Sequence, residues 1–375
     1  MKYMGSKRSM LENGLGHLIE QETKGAKRFA DLFSGSGAVA SHVARHFPIR
    51  VLAFDLQRYS AVLTSAIIGR QTIVQMHPTW DAWEERASQL FVTQKIPTAA
   101  KITRRIVADF RAWCDDQGSL PITRAYGGHY FSPLQTVWLD AFRHSLPRCE
   151  PSKTVALAAL IQAASQCAAA PGHTAQPFQP TRTAKRYLVE AWDKDIVAKT
   201  RKAFEILRIQ FAQRRGNAEI ADANEAAEDL REGDLAFIDP PYSGVHYSRF
   251  YHVLETIARG GCGDVSGAGR YPAPERRPRS KYSVGSESAT ALEALLKTVA
   301  SRGARAIITF PDHDCSNGLS GRSVRDIAAE HFTVESASVS SRFSTLGGAG
   351  KGREKEAGRA ARREAKELML VLKPR

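Results

Sequence analysis

A glycine turn between two short apolar strands is the feature that most constrains how this chain can fold. The strand at Arg28 to Leu32 leads into Gly35-Ser36-Gly37-Ala38-Val39-Ala40, a helical pattern continues to about His46, and a second strand spans Arg50 to Phe54. A glycine-rich turn that joins a strand to a helix is the usual opening of a parallel α/β sheet. The segment therefore predicts a parallel sheet with helices packed on it.

Five later segments are short apolar or β-branched runs bounded by turn residues, as strands are. They are Ala218 to Ile220, Leu235 to Ile238, Ala304 to Phe310, Phe332 to Val339 and Glu367 to Leu372. Together with the helical pattern at Ser288 to Ser301, they predict an α/β fold: a Rossmann-like, doubly wound, mostly parallel sheet built from residues 1–70 and 191–375. Residues 71–190 predict a mainly helical inserted domain, in which Ser132-Pro133 can cap and start a helix.

The residues around the glycine turn indicate a nucleotide-like cofactor. Asp55 ends the second strand about 20 residues after the glycines, where an acid can hold ribose hydroxyls, a spacing that suits both NAD and S-adenosylmethionine. Asp31 would repel the pyrophosphate of NAD but would attract the ammonium of S-adenosylmethionine, and the helix N-terminus after Gly37 can receive the carboxylate. We predict S-adenosylmethionine as the cofactor. The alternative assignment as an NAD dehydrogenase depends on the pattern of Gly35 and Gly37 alone.

The tetrapeptide Asp239-Pro240-Pro241-Tyr242 follows the strand Leu235 to Ile238, which places it at the carboxyl edge of the sheet, where α/β folds bind ligands. Methylation of an exocyclic amine requires acceptors that hold its two N–H groups. The Asp239 carboxylate and the Pro240 carbonyl can supply them, and Tyr242 offers a ring on which an extruded base can stack. Methylation of cytosine C5 is disfavoured because no Pro-Cys nucleophile pair exists.

A formal net charge of +14 favours a polyanionic partner such as nucleic acid. Two basic stretches are candidate phosphate contacts; the alternative is plain disorder for the first and an ordinary solvated charge run for the second. They contain Arg276, Arg277 and Arg279 in the first stretch, and Arg342, Lys351 and Arg353 in the second.

The cysteines and the apolar segments argue against several other classes of protein. Five scattered cysteines without a C-x-x-C pair predict no metal site and no disulfide framework, which suits a cytoplasmic setting. The N-terminus lacks the apolar core of a secretory signal. The most apolar stretch, Thr154 to Ala170, is interrupted by polar residues and predicts a buried helix rather than a membrane span.

These motifs resemble those of the Dam-like DNA N6-adenine methyltransferases, the α-group of S-adenosylmethionine-dependent amino-methyltransferases with a class I methyltransferase fold. The resemblance is carried by residues 2–7, by Phe29 to Gly37, by Asp55, and by Asp239 to Tyr242 with the segment His246 to Thr256. It implies that Tyr3 and Lys7 help close the cofactor pocket, that Asp222 lies near the cofactor adenine, and that the insert includes the target-recognition domain.

The resemblance implies a prokaryotic or phage enzyme that methylates N6 of a flipped adenine at specific sites in double-stranded DNA, with a cognate restriction endonuclease as a candidate partner. Cytosine N4 in DNA and adenine in RNA are alternative acceptors. A protein that binds DNA with the same fold but transfers no methyl group is a further alternative, which the intact Lys7, Asp31, Asp55 and Asp239 disfavour.

Overall fold

The computed structural model describes residues 7–344 and 362–375 of the chain. The described residues form two compact units, which we treat separately. The helical unit consists of Gln57–Ala212 and Tyr247–Pro278, and the sheet unit consists of the other described residues, 7–56, 213–246, 279–344 and 362–375. The insert predicted at residues 71–190 lies within the helical unit, which also takes in the segments on either side of it and 247–278.

The strands, in chain order, are β1 (Arg28–Asp31), β2 (Arg50–Asp55), β3 (Asn217–Ile220), β4 (Leu235–Ile238), β5 (Val265–Ser266), β6 (Tyr271–Pro272), β7 (Arg305–Pro311), β8 (Phe332–Ser344) and β9 (Arg362–Pro374). The α-helices are α1 (Arg8–Met10), α2 (Gly16–Thr23), α3 (Ala38–His46), α4 (Arg58–Ile68), α5 (Thr79–Val92), α6 (Arg104–Asp115), α7 (Pro121–Tyr126), α8 (Pro133–His144), α9 (Ser152–Cys167), α10 (Lys185–Trp192), α11 (Ile196–Arg208), α12 (Ala223–Ala227), α13 (Tyr247–Arg259), α14 (Ser288–Ser301) and α15 (Gly321–His331).

Seven strands form one sheet in the order β3-β2-β1-β4-β7-β9-β8. The first five in this order pair in parallel, whereas β9 is antiparallel to both of its neighbours. The strand order reverses between β1 and β4. The chain adds β2 and β3 on one side of β1, and then returns to add β4 and β7 on the other side of β1. Such a reversal opens a crevice beyond the carboxyl ends of the two central strands. The predicted mixed α/β fold with a mostly parallel sheet is confirmed.

The sheet unit is held together by apolar side chains that the strands and helices bury against one another. All four residues of β4 are buried, and on α14 Leu292, Leu295, Leu296 and Val299 recur at helical spacing and are fully buried. This spacing puts the four side chains on one face of the helix, against the apolar core of the sheet unit. The helix predicted at Ser288 to Ser301 is confirmed with its boundaries.

The helical unit is built around aromatic side chains and one apolar helix. Trp83 contacts Phe142 edge to face with ring centroids 4.9 Å apart, and α9 is buried on nearly all sides. The predicted cap at Ser132 is confirmed. The Ser132 side chain accepts a hydrogen bond from the Gln135 N–H, and the Gln135 side chain accepts one from the Ser132 N–H. Among the described residues, no helix combines the length and apolar character needed to cross a membrane.

Two stretches outside the predicted strands and helices contain regular structure. The segment Gly260 to Ser286 includes the β5–β6 hairpin and two short 3-10 turns. Strands β8 and β9 continue past the predicted ends at Val339 and Glu367, as far as Ser344 and Arg362, because their antiparallel pairing extends through polar residues. Local sequence does not reveal such an extension, since backbone hydrogen bonds to the neighbouring strand maintain it.

Candidate active site

The glycine turn and Asp55 lie side by side at the carboxyl ends of β1 and β2. Gly35 and Gly37 have φ values of 51° and 71°, in the left-handed region that favours glycine, and Gly37 directly precedes α3. The Gly35 N–H donates to Asp55 Oδ2 at 2.9 Å. The two features that the sequence placed about 20 residues apart are therefore joined in one turn, with the N-terminus of α3 facing the same crevice.

Asp31 is a buried carboxylate with one unsatisfied oxygen. It ends β1 with only 1% of its surface exposed, and its Oδ2 accepts from the Ala40 N–H in the first turn of α3 at 3.2 Å. Its Oδ1 has no hydrogen-bond partner among the described residues. Burial raises the pKa of Asp31 to about 8, the nearby charge of Asp239 adds to the rise, and the N–H groups of Phe33 and Ala40 oppose it. A cationic ligand group at Oδ1 would offset the cost of burying the charged carboxylate and would lower its pKa.

Asp239 follows β4 and is held through one of its two oxygens. Lys7 Nζ lies 3.0 Å from Oδ1, and the Thr309 hydroxyl donates to the same oxygen at 2.9 Å. Its side chain is 18% exposed, which leaves the carboxylate reachable from the crevice. Because both donors engage Oδ1, Oδ2 is the oxygen that can accept a hydrogen bond from a ligand.

Lys7 bridges two carboxylates at the edge of the sheet. In addition to Asp239, its ammonium lies 3.3 Å from Glu367 Oε2, and the residue is only 4% exposed. Burial would lower the pKa of Lys7, but the charges of Asp239 and Glu367 outweigh burial and raise it. Burial has the opposite effect on the carboxyl of Asp239, because it raises the pKa of that group, and the positive charge of Lys7 opposes the rise. Lys7 therefore stays charged and compensates two acids.

A buried asparagine fixes the loop that follows Asp239. Asn317 has no exposed surface, and its Nδ2 donates to the Pro241 carbonyl at 2.7 Å and to the Tyr282 carbonyl at 3.0 Å. Its Oδ1 accepts from the Leu319 N–H at 3.3 Å. Asn317 thus connects the tetrapeptide to a 3-10 turn and to the loop after β7, which restricts the movement of the loop.

The Asn317→Ala variant is expected to be about 2–3 kcal/mol less stable than the parent chain, because two buried carbonyls lose their donor. Urea unfolding measures this loss. The control Asn217→Ala, at an exposed position that begins β3, should change stability little. Equal stability of the two variants would show that Asn317 does not brace the loop.

The remaining predicted site residues lie in different surroundings. Pro240 is buried, and Tyr242 is partly buried against the apolar core of the sheet unit. Asp222 caps α12 by accepting from the Asn224 N–H at 2.9 Å. The hydroxyl of Tyr282, whose ring contacts Phe33, donates to Asn224 Oδ1 at 2.7 Å.

Several predicted contacts fall in other parts of the chain. Arg276 and Arg277 belong to the helical unit, whereas Arg279 is an exposed residue of the sheet unit. Tyr3, Lys351 and Arg353 lie outside the described residues, as does the side chain of Arg342.

Sequence reasoning missed Thr309, Asn317 and Glu367. Thr309 could have been identified as a site residue from the sequence, because it is a hydroxyl residue near the carboxyl end of an otherwise apolar strand. Asn317 and Glu367 carried none, since their contacts join segments that are distant in sequence.

A family model described as D12 class N6 adenine-specific DNA methyltransferase matches residues 3–105 and 182–270, about half of the chain. The chain is 27% identical over 274 residues to the Type II methyltransferase M.FokI of Planomicrobium okeanokoites, covering 69% of the chain and 37% of that relative. It is 24% identical over 272 residues to the modification methylase LlaI of Lactococcus lactis subsp. lactis, covering 69% of the chain and 38% of that protein.

The Type II methyltransferase M.NlaIII of Neisseria lactamica is 25% identical over 314 residues, which cover 79% of this chain and 80% of that relative. The aligned part of the chain thus spans well under half of M.FokI and LlaI, but most of M.NlaIII. The resemblance inferred from the motifs is confirmed by the family match. The chain belongs to the D12 class of N6 adenine-specific DNA methyltransferases.

Proposed function

We propose that the chain transfers a methyl group from S-adenosylmethionine to N6 of a flipped adenine at specific sites in double-stranded DNA. The observation that carries the proposal is the Asp239 carboxylate beside the crevice of the sheet, which is anchored through Oδ1 and whose Oδ2 accepts no hydrogen bond from the described residues. Family membership and the names of the relatives support adenine as the target base.

The residues around β1 and β2 fit S-adenosylmethionine, which would supply an electrophilic methyl group on its sulfonium. The unsatisfied Oδ1 of Asp31 would receive the ammonium, and the N–H groups after Gly37 would receive the carboxylate. Asp55 would hold the ribose hydroxyls, and Asp222 would lie near the adenine. The resemblance adds Tyr3 and Lys7 to this pocket, Lys7 through its contact with Asp239.

Asp239, Pro240 and Tyr242 would present the target amine. The exocyclic nitrogen of adenine is a weak nucleophile because its lone pair is delocalised into the ring, so its orientation must be fixed. Asp239 Oδ2 and the Pro240 carbonyl would accept its two N–H groups, while the Tyr242 ring stacks on the extruded base. Bound S-adenosylmethionine would supply the methyl group directly to this nitrogen and leave as S-adenosylhomocysteine, and the surplus amine proton would pass to solvent. No enzyme-bound intermediate is required.

The basic residues and the helical unit would serve DNA binding. Arg276, Arg277, Arg279, Arg342, Lys351 and Arg353 are proposed phosphate contacts, and the part of the helical unit between residues 71 and 190 is the proposed target-recognition domain. The names of M.FokI and M.NlaIII as Type II methyltransferases support a role beside a cognate restriction endonuclease in the cytoplasm of a prokaryote.

Long-read sequencing of DNA from cells that express the chain tests the proposed function, because it reports the modified base and its sequence context together. We expect methylation of adenine N6 within one defined sequence. Modification of cytosine N4, or of RNA in place of DNA, would overturn the assignment of the acceptor. Unmodified nucleic acid from cells that contain folded protein would favour a binding protein without activity.

Cofactor binding is expected to release a proton through Asp31. Without cofactor, the raised pKa of about 8 keeps this carboxyl protonated at pH 7, whereas a bound ammonium requires the carboxylate. Affinity for S-adenosylmethionine should therefore rise with pH, by up to about ten-fold per unit below pH 8, and level off above it. Calorimetry at pH 7 in buffers of different ionisation enthalpy measures the proton.

The variant Asp31→Asn provides the control for this prediction, because it has no carboxyl to titrate. Its binding should be weaker and should release no proton through this position. Equal proton release by the variant and the parent chain would contradict the role of Asp31.

A further inference from the structure

The helical unit contains a cavity of about 570 Å³ whose lining includes Arg276 and Arg277, two of the proposed phosphate contacts, and also Arg58, which the proposed function leaves without a role. Four arginines from three segments line it: Arg58 begins α4, Arg259 ends α13, and Arg276 and Arg277 follow β6. The volume lies in the range of small-ligand sites and exceeds what a lone phosphate group fills.

The acids of the cavity wall leave most of this positive charge uncompensated. Glu255 lies in the wall, but its Oε1 is 2.5 Å from Arg259 Nε and its Oε2 accepts from the Tyr59 N–H at 3.0 Å. Glu255 therefore neutralises Arg259. Within residues 7–344 and 362–375, no carboxylate forms an ion pair with Arg58, Arg276 or Arg277, and Glu275 is the other acid of the wall, at an exposed position.

Arg277 has an unsatisfied donor at this cavity. Its Nε is buried without a hydrogen-bond partner among the described residues, while its guanidinium lies over the Tyr271 ring, 5.6 Å from the centroid. The ring restricts the orientation of the guanidinium, and a ligand acceptor would remove the cost of the buried donor. Arg276 lies close to Gly263, where a Cβ would stand 3.0 Å from its Nη1. The glycine thus leaves room for Arg276 beside the backbone.

We propose that this cavity binds a phosphate group of the DNA backbone, with the adjoining sugar in the remaining space. Planar guanidinium groups from Arg58, Arg276 and Arg277 match the acceptor oxygens of a phosphate, which can take several charge-assisted hydrogen bonds at once. His252 in the wall adds no charge at neutral pH, because burial lowers its pKa to about 4. The inference rests on the proposed function in taking DNA as the substrate.

The double variant Arg276→Gln with Arg277→Gln tests the site. We expect its affinity for a short DNA duplex to fall about ten-fold at low salt, equally for all sequences, and the slope of log affinity against log salt to become shallower by about 1. Inorganic phosphate should raise the melting temperature of the parent chain and not that of the variant. Arg201→Gln, on the exposed face of α11 in the same unit, is the matched control.

Arg58→Gln, which alters an exposed side chain at the start of α4, repeats the test should the double variant not fold. A DNA affinity and salt slope equal to those of Arg201→Gln, together with unchanged stabilisation by phosphate, would overturn the proposal. Both readouts are independent of methyl transfer. A chain that binds phosphate here but methylates no DNA would contradict the proposed function alone, and methylation with unaltered DNA binding by the variants would contradict this site alone.

Discussion

Replacing Asp239 by alanine is expected to lower the rate constant of methyl transfer by roughly 10²- to 10³-fold, the usual cost of removing one positioned hydrogen-bond partner from a reacting group. Asp239→Asn should lose as much activity as Asp239→Ala. Lys7 and Thr309 both donate to the Oδ1 position, so the amide oxygen would take that place. The amide NH₂ would then face the adenine amine, where an acceptor is needed.

Single-turnover transfer of a labelled methyl group to duplex DNA measures this effect without interference from product release. Asp314→Asn, at an exposed position in the loop after β7, is the matched control and should retain activity. Full activity of Asp239→Asn would show that Oδ2 is not the acceptor. Loss of activity in the control as well would point to a general effect on folding.

Replacing Lys7 by methionine is expected to destabilise the chain by about 3 kcal/mol, because it leaves the carboxylates of Asp239 and Glu367 close together without a cation. Urea unfolding measures the change. Without the lysine, the pKa of Asp239 should rise further, so that residual methyl transfer shifts to higher pH. The control Lys373→Met removes an ammonium from a largely exposed pair with Glu335 and should have a much smaller effect.

A second substitution separates charge from packing. The double variant Lys7→Met with Glu367→Gln removes one of the two acids and should recover part of the lost stability, since residues in contact do not act additively. Recovery would identify carboxylate repulsion as the cause. If the double variant were less stable by the sum of the two single effects, Lys7 would act mainly through packing.

The sequence was sufficient to predict the sheet and the two motifs at its carboxyl edge. The glycine turn and the proline-rich turn each follow an apolar strand. Each needs a particular backbone conformation, which the residues of the turn itself favour, so both can be recognised from local sequence. Parallel strands end at the same edge, so the sequence could place Asp31 and Asp239 at one edge of the sheet, whereas their proximity follows from the pairing of β1 with β4.

The partners that anchor the motifs could not be predicted, because they depend on how strands from opposite ends of the chain pair. Glu367 reaches Lys7 across 360 residues of sequence. It does so because β9 is antiparallel to β7, which puts residue 367 beside Pro311 at the edge where the parallel strands end. In the sequence Asn317 has the features of an ordinary loop residue. Its role depends on the loops around Pro241 and Tyr282, which pack against it only in the folded chain.

The role of Asp239 in adenine methylation can be tested by mass spectrometry of nucleosides from duplex DNA incubated with the purified chain and S-adenosylmethionine. We expect N6-methyldeoxyadenosine with the parent chain and with Asp314→Asn, and background levels with Asp239→Ala. Methylated deoxycytidine as the product, or equal amounts of N6-methyldeoxyadenosine with Asp239→Ala and the parent chain, would contradict this role.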